Sequence, residues 1–260
     1  MSPLTALITG ASSGIGRSLA HVFAREGYAL VLVARRLAVL EELAAELSRD
    51  HGVTVRVMAI DLAEPDAAMR LFADLQQSGV VVDVLVNNAG FGMQGAFAAL
   101  PADRQLQMIH LNVTALTALT RLLLPSMLER GKGGVLNVGS TAGFQPGPFM
   151  AVYYATKAYV ISFTEALADE LSGSGLRVSC LAPGPTATAF ATEAGAAESR
   201  LFQSDTMSVD EVARIGYEGW RAGKFLVVAG RRNWWRAFAV RILPRSYVRR
   251  VVRELNSRPD

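Results

Sequence analysis

Thr9-Gly10-Ala11-Ser12-Ser13-Gly14-Ile15-Gly16 stands between an apolar run, Leu4 to Thr9, and a helical pattern in which Ile15, Leu19, Val22 and Phe23 fall at i, i+4, i+7 and i+8. Its glycines are spaced Gly-x3-Gly-x-Gly. Glycine lets a backbone turn tightly and approach a pyrophosphate, and the exposed N–H groups of a helix start attract the anion. A glycine cluster alone is equally a turn or a helix start. Its place between strand and helix makes Gly10, Ser12, Ser13, Gly14, Ile15 and Gly16 a dinucleotide-binding candidate.

Outward from this stretch, strand-like runs recur at Ala29 to Ala34, Thr54 to Ala59, Val82 to Asn87, Gly134 to Val138, Leu176 to Leu181 and Phe225 to Ala229. Helical patterns lie between them, such as Leu40, Leu43 and Leu47. Seven strands apolar on both faces, alternating with helices, predict an α/β fold: one doubly wound parallel sheet covered on both sides. With 51% hydrophobic residues over 260, the core can be sizeable. No repeat or long linker divides the chain, so the sequence predicts a single catalytic domain over 1–230, with a mobile loop at about 184–206 and an extension over 231–260.

Where an NAD-binding fold places an acid on the ribose hydroxyls, the second strand ends in Ala34-Arg35-Arg36. Arginine attracts a 2′-phosphate that an acid would repel, so Arg35 and Arg36 favour NADP(H) over NAD(H). Asp61-Leu62 closes the third strand; Asp61 either accepts from the adenine amino group or caps the following helix near Glu64-Pro65.

Tyr153 and Lys157 occupy i and i+4 of a helical pattern continued by Val160, Phe163, Leu167 and Leu171. A phenol, with a reference pKa of about 10, is a poor base at neutral pH, and a nearby ammonium would lower that value. Spacing selects Tyr153 over Tyr154, whose i+4 partner is Ala158. Alone, such a pair is an ordinary feature of a helix surface.

In company it is more specific. TGASSGIG, the NNAG of Asn87 to Gly90, the HLN of His110 to Asn112, VGSTAG around Ser140, YYATK and the PGPTAT of Pro183 to Thr188 follow in one order, with thirteen residues from Ser140 to Tyr153. The chain thereby resembles the short-chain dehydrogenase/reductase family over roughly residues 5 to 190, departing from it at Pro185. The resemblance implies a Rossmann fold and hydride exchange with a nicotinamide. Ser140 would hold the substrate oxygen and Tyr153 transfer its proton; Lys157 would also hold the nicotinamide ribose, and Asn112 would anchor a water for proton relay. Asn88, Ala89 and Gly90 would face the adenosine side, and Pro183, Gly184, Thr186 and Thr188 the nicotinamide. A homodimer or homotetramer through the helices near Asp103 to Arg130 and Tyr153 to Leu171 is implied as well. Phe91, Met93, Gln94, Phe144, Phe149, Met150 and Phe190 flank the inferred site and suggest an apolar pocket for a medium-sized ketone, aldehyde or alcohol. The alternative is a nonenzymatic NADP(H)-binding regulator or membrane-associated sensor on the same fold; a pure binder has no need of Ser140 and Tyr153 together.

His21, His51 and His110 fall in separate elements without ligand spacing, so no metal is expected. The one cysteine, Cys180, sits in an apolar run and reads as a core thiol. The start has no room for a basic n-region and an apolar h-region, and charge, proline or glycine breaks every apolar run, so a soluble, cytoplasmic chain is expected.

Net charge is +3, yet residues 221–260 hold eleven Lys or Arg against Glu254 and Asp260, which is +9, leaving −6 for residues 1–220. Within that tail Trp234, Phe238, Ile242 and Leu243 form an apolar stripe among arginines. Packing against the domain or a second subunit is preferred to peripheral membrane contact, since the stripe should be covered; no nucleic-acid-reading motif accompanies the charge.

Overall fold

The computed structural model describes residues 3–203 and 206–257, so residues 204–205 of the expected loop and 258–260 of the expected extension lie outside it. The chain runs β1 (Thr5–Thr9), α1 (Gly14–Arg25), β2 (Ala29–Ala34), α2 (Leu37–His51), β3 (Val55–Ala59), α3 (Ala67–Gln77) and β4 (Val84–Asn87). There follow α4 (Ala102–Ile109), a π-helical turn (His110–Ala115), α5 (Leu116–Arg130), β5 (Gly134–Val138), α6 (Ala151–Glu170), β6 (Arg177–Ala182), α7 (Phe190–Glu193), α8 (Val209–Arg221), β7 (Leu226–Val228), α9 (Arg231–Ile242) and α10 (Arg245–Asn256).

The strands form one parallel sheet in the order β3-β2-β1-β4-β5-β6-β7. Alternation of side chains along each strand explains its double-sided core. Ala6 and Ile8 of β1, with Leu30 and Leu32 of β2, face Leu19 and Phe23 of α1, Leu40 and Leu43 of α2 and Trp220 of α8. Leu7, Val31 and Val33 point to the opposite face, against Leu71 of α3, Leu119, Leu123 and Met127 of α5 and Leu167 of α6. The winding reverses between β1 and β4, and there the loops leaving the carboxyl ends of the strands part to form a crevice.

Ala102–Arg130 is long and apolar enough to cross a membrane by length and composition, although Arg121 and Pro125 interrupt its apolar stretch. Its inner face, at Leu119, Leu123 and Met127, is packed in the core. The segment expected as a mobile loop is folded in its described part: Ala187 N–H donates to Met207 O at 3.0 Å, Met207 N–H to Pro185 O at 3.1 Å, and Leu201 N–H to Leu255 O at 3.0 Å. The tail also differs from expectation. α9 and α10 do pack across the crevice, but through Asn233, Ala237, Val240, Val248, Val252 and Asn256. Of the stripe expected to be covered, Trp234, Phe238 and Ile242 face outward, and Leu243, 40% exposed, lies at the cleft edge. The reason is that α9 is apolar on two sides, and the smaller residues fit the crevice edge.

Candidate active site

The crevice is a single cleft of about 1170 Å³ that runs from the loop after β1 to the start of α6. At its phosphate end the buried Thr9 hydroxyl accepts from the N–H groups of Asn88 at 2.9 Å and Ala89 at 3.0 Å. Asn88 Nδ2 returns hydrogen bonds to Thr9 O at 2.9 Å and Gly10 O at 3.2 Å. NNAG therefore clamps the glycine loop across the winding reversal. The clamp leaves no space for side chains: a Cβ on Gly10, whose φ is +65°, would lie 2.8 Å from Asn88 Nδ2, and one on Gly16 would overlap Gly10 O. Ser13 precedes α1 without capping it through its side chain. The first-turn N–H groups are thus left for an anion. Beside them Arg36 Nη2 donates to Ser12 Oγ at 3.2 Å, and Arg35 also lines the cleft. Asp61 Oδ1 accepts from Ala63 N–H at 2.9 Å, a local turn; α3 starts later, after Asp66, so Asp61 does not cap it. The carboxyl of Asp61 and the side of Leu62 still form cleft wall.

A second polar layer holds the strands together beneath the cleft. Asn87 Nδ2 donates to Asn137 Oδ1 at 2.9 Å and to Thr120 Oγ1 at 3.1 Å, and Asn137 Nδ2 donates to Thr164 Oγ1 at 2.9 Å. These buried amides are satisfied across α5, β4, β5 and α6, which fixes where α6 starts.

At the chemical end Ser140 leaves β5 in extended conformation and its Oγ accepts from Ala142 N–H at 3.1 Å. Ser140 Oγ itself donates to Pro183 O at 3.5 Å and stands beside the Tyr153 phenol on the cleft wall. Burial raises the Tyr153 phenol well above its usual pKa, outweighing the neighbouring Ser140 hydroxyl, which lowers it. The depression expected from Lys157 is not what the site shows. Lys157 Nζ donates to Val138 O at 2.8 Å and lies 5.8 Å from the centre of the Tyr153 ring, while burial pulls the ammonium down to about 8. The tyrosine is accordingly held as a protonated phenol beside the serine.

Asn112 lies off the cleft wall, in the π-helical turn. Its Oδ1 accepts from Phe91 N–H at 3.1 Å, and its Nδ2 donates to Phe91 O at 3.0 Å and Thr156 Oγ1 at 3.1 Å. It ties the loop after NNAG to α6, one residue from Lys157. Gly90 permits this approach, since its Cβ would lie 2.9 Å from Asn112 Oδ1 and 3.7 Å from Lys157 Nζ. Pro183, Gly184, Thr186 and Thr188 follow β6 along the opposite wall, with Gly184 packed on the Asn233 side chain of α9. Of the candidate residues, all but Gly16 and Asn112 line the cleft itself.

The apolar wall differs in part from expectation. Phe91, Met150 and Phe190 line the cleft, but Phe144 packs with Val160, Ile161 and Cys180, Met93 borders a separate small void, and Phe149, at φ +66°, sits under the Arg253 guanidinium. The missing wall comes from the tail: Val240, Leu243, Val248 and Val252 roof the cleft with Phe202. Asn256 pins that roof, donating through Nδ2 to Pro148 O at 2.9 Å and accepting from the Tyr154 hydroxyl at 3.2 Å, while its backbone carbonyl accepts from Gln94 Nε2. Val248, Val252 and Asn256 fall at i, i+4 and i+8, a spacing that marks the buried face of α10 in the sequence.

A family model described as short chain dehydrogenase matches residues 4–199. The chain belongs to the short-chain dehydrogenase family. A sulfoacetaldehyde reductase of Chromohalobacter salexigens is 42% identical over 186 residues, 70% of this chain and 72% of that one. A very-long-chain 3-oxoacyl-CoA reductase of Anas platyrhynchos is 36% identical over 188 residues, 70% of this chain but only 60% of that one. A solved short-chain dehydrogenase from Sphingobium yanoikuyae, in complex with NADPH, superposes with a TM-score of 0.82 at 36% identity, covering 91% of this chain and 92% of the other. This short-chain dehydrogenase is therefore an oxidoreductase of a group whose members bind nicotinamide cofactors and act on small molecules.

Proposed function

We propose that the chain is an NADP(H)-dependent enzyme that interconverts a carbonyl with its alcohol, on a bulky apolar substrate, with Tyr153 as the acid and base. The observation that carries the reading is that Ser140, Tyr153 and Lys157 line one end of a cleft whose far end is the glycine loop with Arg35 and Arg36. The cofactor fit rests on the same end. Gly10 and Gly16 admit no Cβ, the first turn of α1 offers free N–H groups, and the guanidiniums of Arg35 and Arg36 at the same end would favour a 2′-phosphate. A cleft of about 1170 Å³ exceeds the roughly 300–1,000 Å³ of a drug-sized pocket, leaving room for substrate beside a dinucleotide.

The bound nicotinamide would supply or accept the hydride. In reduction Ser140 Oγ holds the carbonyl oxygen and Tyr153 Oη donates its proton to it. The phenol is protonated at neutral pH, the state in which Tyr153 can donate in reduction. Lys157, at about 8, is near its own midpoint and suits proton exchange behind Tyr153, with Asn112 fixing the segment on which the relay depends. The relatives span a sulfonated aldehyde and a long-chain 3-oxoacyl thioester by name, so the wall decides the substrate class. Met150, Phe190, Phe202, Val240, Val248 and Val252 favour an apolar one. Leu106, Ile109 and Leu128 on the outer faces of α4 and α5, exposed beside Tyr159 of α6, support a homo-oligomer through these helices. The lone, buried Cys180 suits a reducing cytoplasm. A screen of ketones and aldehydes with NADPH and NADH tests the reading: turnover of bulky apolar ketones with NADPH supports it, and turnover of small charged carbonyls alone would overturn the substrate class.

A further inference from the structure

The outward face of α9 is built unlike the rest of the surface. Trp234, Trp235, Phe238 and Ile242 are 48, 60, 44 and 71% exposed, whereas Asn233 and Ala237 on the opposite side are buried. Trp234 and Phe238 stack with ring centres 5.6 Å apart, and Trp235 meets both edge-on. Leu243 and Tyr247, also exposed, continue this stripe into a contiguous apolar patch of the kind that marks an interaction site. Arg231 and Arg241 flank it on α9, and Arg245 follows at the start of α10. Residues 231–257 hold eight arginines against Glu254, on a chain whose residues 1–220 carry −6.

The flanking arginines decide the occupant. A second copy seated symmetrically on this face would bring arginines against arginines. A surface of anionic phospholipid satisfies both components: indole and phenyl rings sit at headgroup depth, and guanidiniums reach the phosphates while their stems lie along the apolar stripe. We propose that α9 docks the protein peripherally on an anionic phospholipid surface. Leu243 and Tyr247 belong both to the exposed stripe and to the cleft lining, so docking sets the roofed side of the cleft against the lipid.

The full chain is sedimented with vesicles of phosphatidylcholine, with and without phosphatidylglycerol. The protein pellets with the anionic vesicles and stays in the supernatant with the neutral ones. The exposed pair Trp235→Ser/Ile242→Ser, and separately Arg231→Glu/Arg241→Glu, lower the partition at least tenfold, with wild-type thermal midpoints. In the unaltered protein, anionic vesicles shift tryptophan emission to the blue through Trp234 and Trp235, since Trp220 is 1% exposed. Wild-type protein that stays in the supernatant, or variants that pellet as well as it does, overturn the proposal. So does a drop in sedimenting mass of the serine variant without vesicle binding by the parent, which assigns the face to a second copy.

Discussion

Asn256→Ala removes the side chain that pins the tail over the cleft. Two hydrogen bonds are lost, to Pro148 O at 2.9 Å and from the Tyr154 hydroxyl at 3.2 Å, whereas the Gln94 bond to the backbone of residue 256 survives. A neutral hydrogen bond contributes about 0.5–1.5 kcal/mol, and a buried partner left unsatisfied costs about 1–3 kcal/mol. Asn256 is 2% exposed, so water does not replace it, and a loss of about 3 kcal/mol follows. That cost falls on the docking of α10, whose other anchors are Val248 and Val252, the Leu201 and Gln94 bonds to its backbone, and Arg253 over Phe149. Amide exchange across 245–257, read by mass spectrometry, should accelerate roughly a hundredfold while the strands keep their protection. Adding Tyr154→Phe removes the orphaned hydroxyl and should recover part of the loss, so the two changes are not additive. Unchanged exchange in α10 would refute the view that Asn256 holds the roof.

Gly16→Ala places a Cβ against Gly10 O and Asn88 Nδ2 and should weaken NADPH binding more than tenfold in a fluorescence titration; an unaltered Kd would mean the loop does not hold the cofactor. Arg35→Asp puts a carboxylate beside the glycine loop and should move the ratio of kcat/KM for NADPH over NADH towards NADH, and a ratio that stays put counts against the 2′-phosphate reading. Lys157 is lowered from 10.5 to about 8, so between those values the unfolded chain binds the extra proton and stability rises with pH. Cys180, raised from 9.0 to about 12, acts in the opposite sense only above 9.0, leaving a window from about 8 to 9. There the urea midpoint should rise more steeply for the wild type than for Lys157→Met, and parallel curves would contradict the burial of a charge. The same elevation, with full burial, predicts that Cys180 resists thiol reagents until the chain unfolds.

The strands were legible because both their faces are buried: Ala29 to Ala34 is an unbroken apolar run and Gly134 to Val138 one interrupted by Asn137, and they form β2 and β5 with those bounds. Thr54 and Val82 fell outside β3 and β4, since hydropathy does not record where a ladder stops. The glycine loop and the Tyr153 to Lys157 spacing could be read because each needs particular residue types at fixed offsets. The apolar wall could not. Phe144 and Met93 look like pocket residues from their neighbours in sequence, whereas the wall is completed by Val240, Val248 and Val252, about a hundred residues away in the chain. α9 misled for a related reason, because a helix apolar on two sides gives one stripe to the core and the sequence does not say which. The raised phenol of Tyr153 was also out of reach, since the i+4 spacing suggests an ion pair and only the fold shows Lys157 turned onto Val138.

The central claim, that Tyr153 is the proton donor of a nicotinamide-dependent reductase, is tested most directly by single-turnover NADPH oxidation with a ketone substrate in the wild type and in Tyr153→Phe. The phenyl ring keeps the packing against Phe190, so the variant should bind NADPH as tightly as the parent and lose turnover by at least a hundredfold. Undiminished turnover with intact NADPH binding would contradict it.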